Sequence, residues 1–220
     1  MSSQTVVLST LALKGALDKL RPDADLRFDA TQAILKRMSA GERADLLALT
    51  VEAMEDLRKA GRVTQVRALG SSGVGIAVMT GAPRPAIGSV EELVRTLLAA
   101  RSVAHSKVGA SGIYFAEVLA KLGIAQSLKK RIVVEKGPVA LLVASGEAEL
   151  GVQLLCELAP VPGIDIVGPL PGPLQVLTHF AAGIAADAAD PKGAAALIEL
   201  LGTDAARKAM VESGMQPAAR

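Results

Sequence analysis

The sequence predicts an α/β protein made of two parallel-sheet lobes joined by a two-segment hinge. Three observations carry that expectation. Short apolar runs alternate with segments whose apolar residues recur at helical spacing, along most of the chain. Two proline-broken extended stretches, near 74–85 and 168–186, interrupt the alternation. Two further helical patterns lie beyond the second stretch, so the chain leaves one lobe, builds another and returns. The expected lobes are 1–78 with 178–220, and 79–177, with a ligand cleft between them.

In chain order, residues 5–8 read as a buried strand, followed by a helix through Leu13, Leu17 and Leu20. A strand at 26–28 leads to a helix carrying Ile34, Leu35 and Met38 on one face. A third strand at 44–49 precedes a helix at 51–60, stopped by Gly61. The apolar run 74–79 is a longer strand. Ser89 caps the next helix, with Glu91 and Glu92 in its first turn, where acids favour the helix dipole. Strands are expected at 132–134, 151–156 and 164–167, and Gly137-Pro138 opens a helix. Residues 168–173 read as a rigid linker and 174–186 as extended. Helices from about Pro191, behind Asp190, and from Asp204 close the chain.

Composition narrows the function. Half of the 220 residues are hydrophobic, enough for a substantial core. Aromatic residues make up 2% and Trp is absent, which argues against stacking on single-stranded nucleic acid. The net charge is +2 with dispersed basic residues, so no nucleic-acid partner is expected. One cysteine excludes an internal disulfide and a cysteine-rich zinc site, and two distant histidines make poor metal ligands. No metal or cofactor is expected. Apolar runs such as 181–186 are too short to span a bilayer, so the chain is not expected to be membrane-embedded. The N-terminus lacks a basic leader region. The expectation is a cytoplasmic protein as written, or a periplasmic one if a leader was removed.

The stretch around which the chain is organised is 106–115, SKVGASGIYF. It reads as the end of a strand, a Gly/Ser turn and a helix start. Small residues there let an anion approach free backbone N–H groups at the positive end of the helix.

The order of motifs resembles the molybdate-binding-like branch of the type II periplasmic solute-binding proteins. The matching stretches are VLSTLALKGALD at 7–18, ILKRMSAGERAD at 34–45, GAPRP at 81–85 and LLAARS at 97–102. They continue with GASGIY at 109–114, VASGEAELG at 143–151, GPLP at 168–171 and SGMQP at 213–217. The resemblance implies a small anion held between two α/β lobes by hydroxyls and helix-start N–H groups, with an ABC permease as partner.

Carried onto this chain, the resemblance implies ligand contacts from Ser9 and Thr10 in the first loop and Thr31 in the second. Ser111 and Gly112 supply the third loop, Val139 the fourth, and Gln153 precedes the position where molybdate binders place a tyrosine. Here that position is Leu154, and Leu11 stands about where those proteins place a serine. Asp29 puts a carboxylate at the second loop, where it would repel a dianion. An organic acid therefore fits better than molybdate.

Lys14 and Arg84 are the candidate cations. Lys14 lies at the unfavourable end of its helix, which a ligand role would explain, and Arg84 sits on a stiff segment between two prolines, suited to clamp a carboxylate. The leading reading is a solute-binding protein. The alternative, similar to an aconitate isomerase of the same branch, is a proton shift on an unsaturated polycarboxylate. Its base would be Glu157, read together with Cys156 at the end of a strand; His105 and Tyr114 are the other titratable groups near the 106–115 loop.

Overall fold

The structure is a computed structural model and describes residues 4–135 and 137–219. The chain divides into two compact units, 4–71 with 179–219, and 72–178. The first division falls inside a strand, at Ser71/Ser72.

In unit 1 the chain runs through β1 (Val6–Thr10), a 3-10 turn (Leu11–Leu13), α1 (Lys14–Leu20), β2 (Asp25–Asp29), α2 (Thr31–Ser39), β3 (Leu46–Thr50) and α3 (Val51–Lys59). After unit 2 it returns through β9 (Leu177–Ala185), α8 (Pro191–Leu201), α9 (Asp204–Glu212) and β10 (Gln216–Pro217). The strand order is β2-β1-β3-β9, with β1 parallel to both neighbours and β9 antiparallel to β3. Thr10 pairs with Asp29, and Ser9 with Ala48, so β1, β2 and β3 all end at one edge of the sheet. One face buries Leu8, Ile34, Leu47, Leu49 and Met54 under α2 and α3. On the other elements, α1 packs against α9.

Strand β4 (Val63–Met79) carries the chain from unit 1 into unit 2. Unit 2 continues with α4 (Val90–Ala99), β5 (Val103–Ser106), α5 (Ala110–Lys121), β6 (Arg131–Val134), α6 (Val139–Ala144), β7 (Leu150–Leu154), α7 (Leu155–Leu158) and β8 (Ile164–Pro169). The order is β8-β4-β7-β5-β6. Strand β5 is parallel to β6 and β7, while β4 is antiparallel to β7 and β8. His105 pairs with both Val133 and Val152, so β5, β6 and β7 also end together. A helix follows each of those ends.

Several elements differ from the sequence expectation. The strand expected at 74–79 begins at Val63; Gly70, pressed against the Gln216 carbonyl, and the small residues after it continue the strand rather than turning it. The strand expected at 151–156 stops at Leu154, and α7 takes up Cys156 and Glu157. The expected linker at 168–173 is ladder as far as Pro169, because Gly75 pairs with it. Ser89 does cap α4, accepting from Glu92 N at 3.2 Å.

Candidate functional site

The helices fall into two groups by how they begin. At α4, α8 and α9 a side chain caps the first turn: Ser89, Asp190 and Thr203 respectively. At the 3-10 turn after β1, which runs on into α1, and at α2, α3, α5, α6 and α7, the N-cap residue's own side chain makes no cap bond, although Gln153 and Ser72 accept from first-turn N–H groups of α6 and α7. The second group all follow the C-terminal ends of β1, β2, β3, β5, β6 and β7. Helix geometry leaves the first N–H groups of a helix without intrahelical partners. In open α/β sheets this edge is also where ligands are received.

In unit 1, Ser9 is fully buried and its hydroxyl donates to the Thr10 carbonyl at 3.1 Å. Thr10 is the N-cap of the 3-10 turn. Thr31 opens α2, and its Oγ1 is buried without a hydrogen-bond partner. A buried hydroxyl left without a partner costs stability. Asp29 accepts from Ala30 N at 2.8 Å and meets Arg37 at 3.5 Å, so its charge is compensated within the unit. The repulsion expected from it is correspondingly weaker. Thr50, N-cap of α3, occupies the equivalent place after β3. Sequence reading recognised the strand and helix on either side of it but did not name it.

Lys14 does not present a free cation. Its ammonium pairs with Asp18 at 2.5 Å and lies 5.3 Å from the centroid of the Phe28 ring. Those two contacts explain a lysine at the wrong helix end without a ligand. Arg84 also has partners within its own unit. Its guanidinium donates to the Ile166 and Val167 carbonyls and straps the chain onto β8. Ile166 is level with Ala77, and Ala77 with Gly151 at the start of β7, away from the ends that carry the helices.

In unit 2, the 106–115 turn is built around Ser106. Its hydroxyl accepts from Val108 N at 3.2 Å and Gly109 N at 2.9 Å. Gly112 packs so closely that a Cβ there would lie 1.9 Å from the Ser106 carbonyl oxygen. Ser111 is buried beside it in the first turn of α5. His105 stacks edge-on against Phe115 at 5.6 Å, and burial lowers its proton affinity. Tyr114 donates to the Leu174 carbonyl at 3.0 Å, a strut rather than a ligand contact. Thus Ser111 and Gly112 share one helix start, while His105 and Tyr114 serve the packing around it.

The ends of β6 and β7 meet through Gln153. Its Oε1 accepts from Ala140 N in the first turn of α6 at 3.1 Å, next to Val139. Gln153 is 3% exposed, and its side-chain oxygen is taken up by α6. Glu157 is half-buried in α7. Desolvation raises its carboxyl from an ordinary value near 4.5 to about 7. Cys156 is fully buried; desolvation, then the neighbouring Glu157 charge, push its thiol up, so it stays protonated. Its backbone N–H donates to Ser72 Oγ at 3.1 Å. Among the described residues no cluster of His, Cys, Asp and Glu suits a metal ion, and no helix is long and apolar enough to cross a membrane.

Two α/β units, with uncapped helix starts at the ends of their parallel strands, define a two-lobe type II periplasmic-binding-protein fold. The periplasmic molybdate-binding protein of Azotobacter vinelandii matches it with a TM-score of 0.78 at 16% identity, over 98% of this chain and 100% of that one. The substrate-binding domain of a molybdenum ABC transporter protein from Clostridium difficile matches with a TM-score of 0.70, also at 16% identity, over 99% of this chain and 100% of that one. Residues 23–216 match the model of the bacterial extracellular solute-binding proteins, and the chain belongs to that family. A protein named aconitate isomerase, from a Pseudomonas species, is 37% identical over 193 residues, covering 86% of this chain and 73% of that protein.

Proposed function

We propose that this solute-binding-family chain binds a small unsaturated polycarboxylate and moves a proton along it, interconverting cis- and trans-aconitate. The observation that carries the reading is Glu157, a half-buried carboxyl at the end of β7 raised to about 7. A group poised there both takes and returns a proton near neutral pH. The 37% identity to a protein named aconitate isomerase supports it.

The chemistry balances with one base. The Glu157 carboxylate removes a proton from the methylene carbon. The electron pair spreads over the three-carbon allyl unit and into the attached carboxylates. Helix-start N–H groups stabilise that charge. Glu157 then delivers the proton to the former vinyl carbon, and the double bond has moved by one position. The skeleton of aconitate is regenerated, with cis or trans geometry set by how the former methylene arm was held. Ser111 and the N–H groups at the starts of α5 and α6, all in unit 2 with Glu157, are the proposed carboxylate contacts.

The test is NMR of cis-aconitate with the protein in D2O. Trans-aconitate should appear with deuterium in the methylene position. Glu157→Gln should lower turnover by roughly 10²–10⁴-fold while substrate still raises the melting temperature. Turnover should fall as pH drops below about 7, because the carboxylate must be ionised to act as base. No turnover at any pH, with strong thermal stabilisation by one anion, would replace this reading with that of a transport-linked binding protein. That second reading is favoured by the family match and has an ABC permease as its partner.

A further inference from the structure

We propose that Ser72 is a positioning residue for Glu157: its hydroxyl, on β4, holds the Cys156 N–H and so sets the rotation of the single turn of α7 that carries the acid. The inference rests on Glu157 being the proton-moving group of the preceding section.

Register shows why the contact forms. Strands β4 and β7 run antiparallel, and their ladder reaches Val74 opposite Leu154. Two residues further along each chain, Ser72 stands where Cys156 would pair if β7 continued. Strand β7 does not continue: Leu154 is its last extended residue and Leu155 begins α7. The Ser72 hydroxyl takes the place of the missing rung, accepting from Cys156 N at 3.1 Å in a buried bond. Ser72 is itself 1% exposed. Nearby, Gly75 leaves room for Leu155, whose Cδ2 would lie 2.4 Å from a Cβ placed there. Strand β4 thus touches both of the first two residues of α7.

Helix α7 is four residues long, and its turn closes through Ala159 N to the Leu155 carbonyl at 2.9 Å. A lone turn fixes several dihedrals for one bond, so contacts from outside decide how it sits. Cys156 and Leu158 are fully buried, which anchors the turn on each side of Glu157. Holding Cys156 N then fixes the direction in which the Glu157 Cα–Cβ bond leaves the backbone. Few charges act on the acid. Helix α7 packs on β7 and β8, and Leu158 shares a buried cluster with Ala140 of α6 and Ala77 of β4. Strand β7 and helix α6 carry no ionisable side chain, and Arg67 of β4 lies in unit 1. Strand β8 carries Asp165, engaged by Thr80 at 3.4 Å and Gly81 N at 3.2 Å. Within α7 the other titratable group is the protonated Cys156. Desolvation is what raises Glu157, so its titration reports whether the turn is seated.

The experiment uses the full chain labelled with 13C and 15N. In the wild type the Cys156 amide should exchange with solvent as slowly as the core strands of unit 2. Ser72→Ala removes the acceptor and little volume. The turn then loosens, so the midpoint of the Glu157 carboxyl carbon should fall from about 7 by about one pH unit. For cis-aconitate, kcat should drop roughly 10–100-fold. KM should stay near the wild-type value, because the substrate contacts at α5 and α6 are untouched. The acid limb of turnover should move down with the midpoint. A fast-exchanging Cys156 amide in the wild type, a reading that needs no variant to fold, would overturn the proposal. So would an unmoved midpoint in a folded variant, the result expected if the hydroxyl only adds stability. A moved midpoint in a protein that never turns over aconitate would leave the positioning role intact and remove the isomerase reading alone.

Discussion

Two carboxyls, one in each unit, stand in opposite circumstances. Asp190 in unit 1 caps α8 by accepting from Gly193 N at 3.0 Å and also takes the Thr5 hydroxyl at 2.6 Å. The Thr5 hydroxyl, then the Gly193 N–H, lower its proton affinity. Its backbone N–H in turn donates to the buried Asp45, which also accepts from Val6 N. Glu157 in unit 2 has a desolvating environment, and its proton affinity is raised. Acids that hold the fold together are saturated with donors. An acid left short of donors is costly to ionise, and a costly acid kept near uncapped helix starts is suited to chemistry.

The contrast is broken or sharpened most strongly at Asp45. Asp45→Ala should cost roughly 3 kcal/mol or more, since two charge-assisted bonds to backbone N–H are lost in a buried site. Chemical denaturation would read it, with amide exchange locating the loss in unit 1. An effect below about 1 kcal/mol would mean that Asp45 is no clamp.

Glu157→Gln should act in the other direction. The folded carboxyl titrates near 7 and the unfolded one near 4.5, so the protonated form's advantage is complete below 4.5 and is lost as pH rises through 7. The variant should therefore match the wild type at pH 4. At pH 8 it should be more stable by up to about 3 kcal/mol. Equal stability at both pH values would remove the distinction between the two acids.

Thr31→Val tests the orphaned hydroxyl. The substitution removes an unsatisfied buried group, so stability should rise by about 1 kcal/mol while anion affinity falls. A loss of stability would show that the hydroxyl has a structural task. The smallest effect belongs to Asp190. Its contribution should be present above about 4 and fade as pH falls below that, the acid-side counterpart of Glu157. Replacing it with Asn should flatten the acid limb of the stability profile.

Strand–helix alternation was legible because apolar runs such as 46–49 and the spacing of Ile34, Leu35 and Met38 follow directly from burial on sheets and helices. The beginning of β4 was not. Its polar residues Thr64, Gln65 and Arg67, and the small residues 70–73, carry turn composition, yet tertiary pairing with β10 and β9 keeps them extended. Ser111 and Gly112 were visible because a Gly/Ser turn before a helix has a local signature. For Lys14 and Arg84 the sequence shows charge without its partner; Asp18, Phe28 and the Ile166 carbonyl are the partners that the structure adds. The Gln153–Ala140 connection was hidden for a related reason. It depends on β7 ending at Leu154 and on Ala140 of another helix coming to the Gln153 amide.

Unit 2 is one uninterrupted segment, whereas unit 1 is split around it. This has a consequence in time. A ribosome finishes 72–178 while unit 1 still lacks β9, the strand that pairs with β3 from Leu46–Ile184 to Thr50–Phe180. Until that strand emerges, β3 keeps an open edge beside an apolar face. Protease challenge of stalled chains ending shortly after 178 should find unit 2 resistant and unit 1 still cleavable. The protein therefore matures from its middle outward, and the final forty or so residues close the half that was begun first.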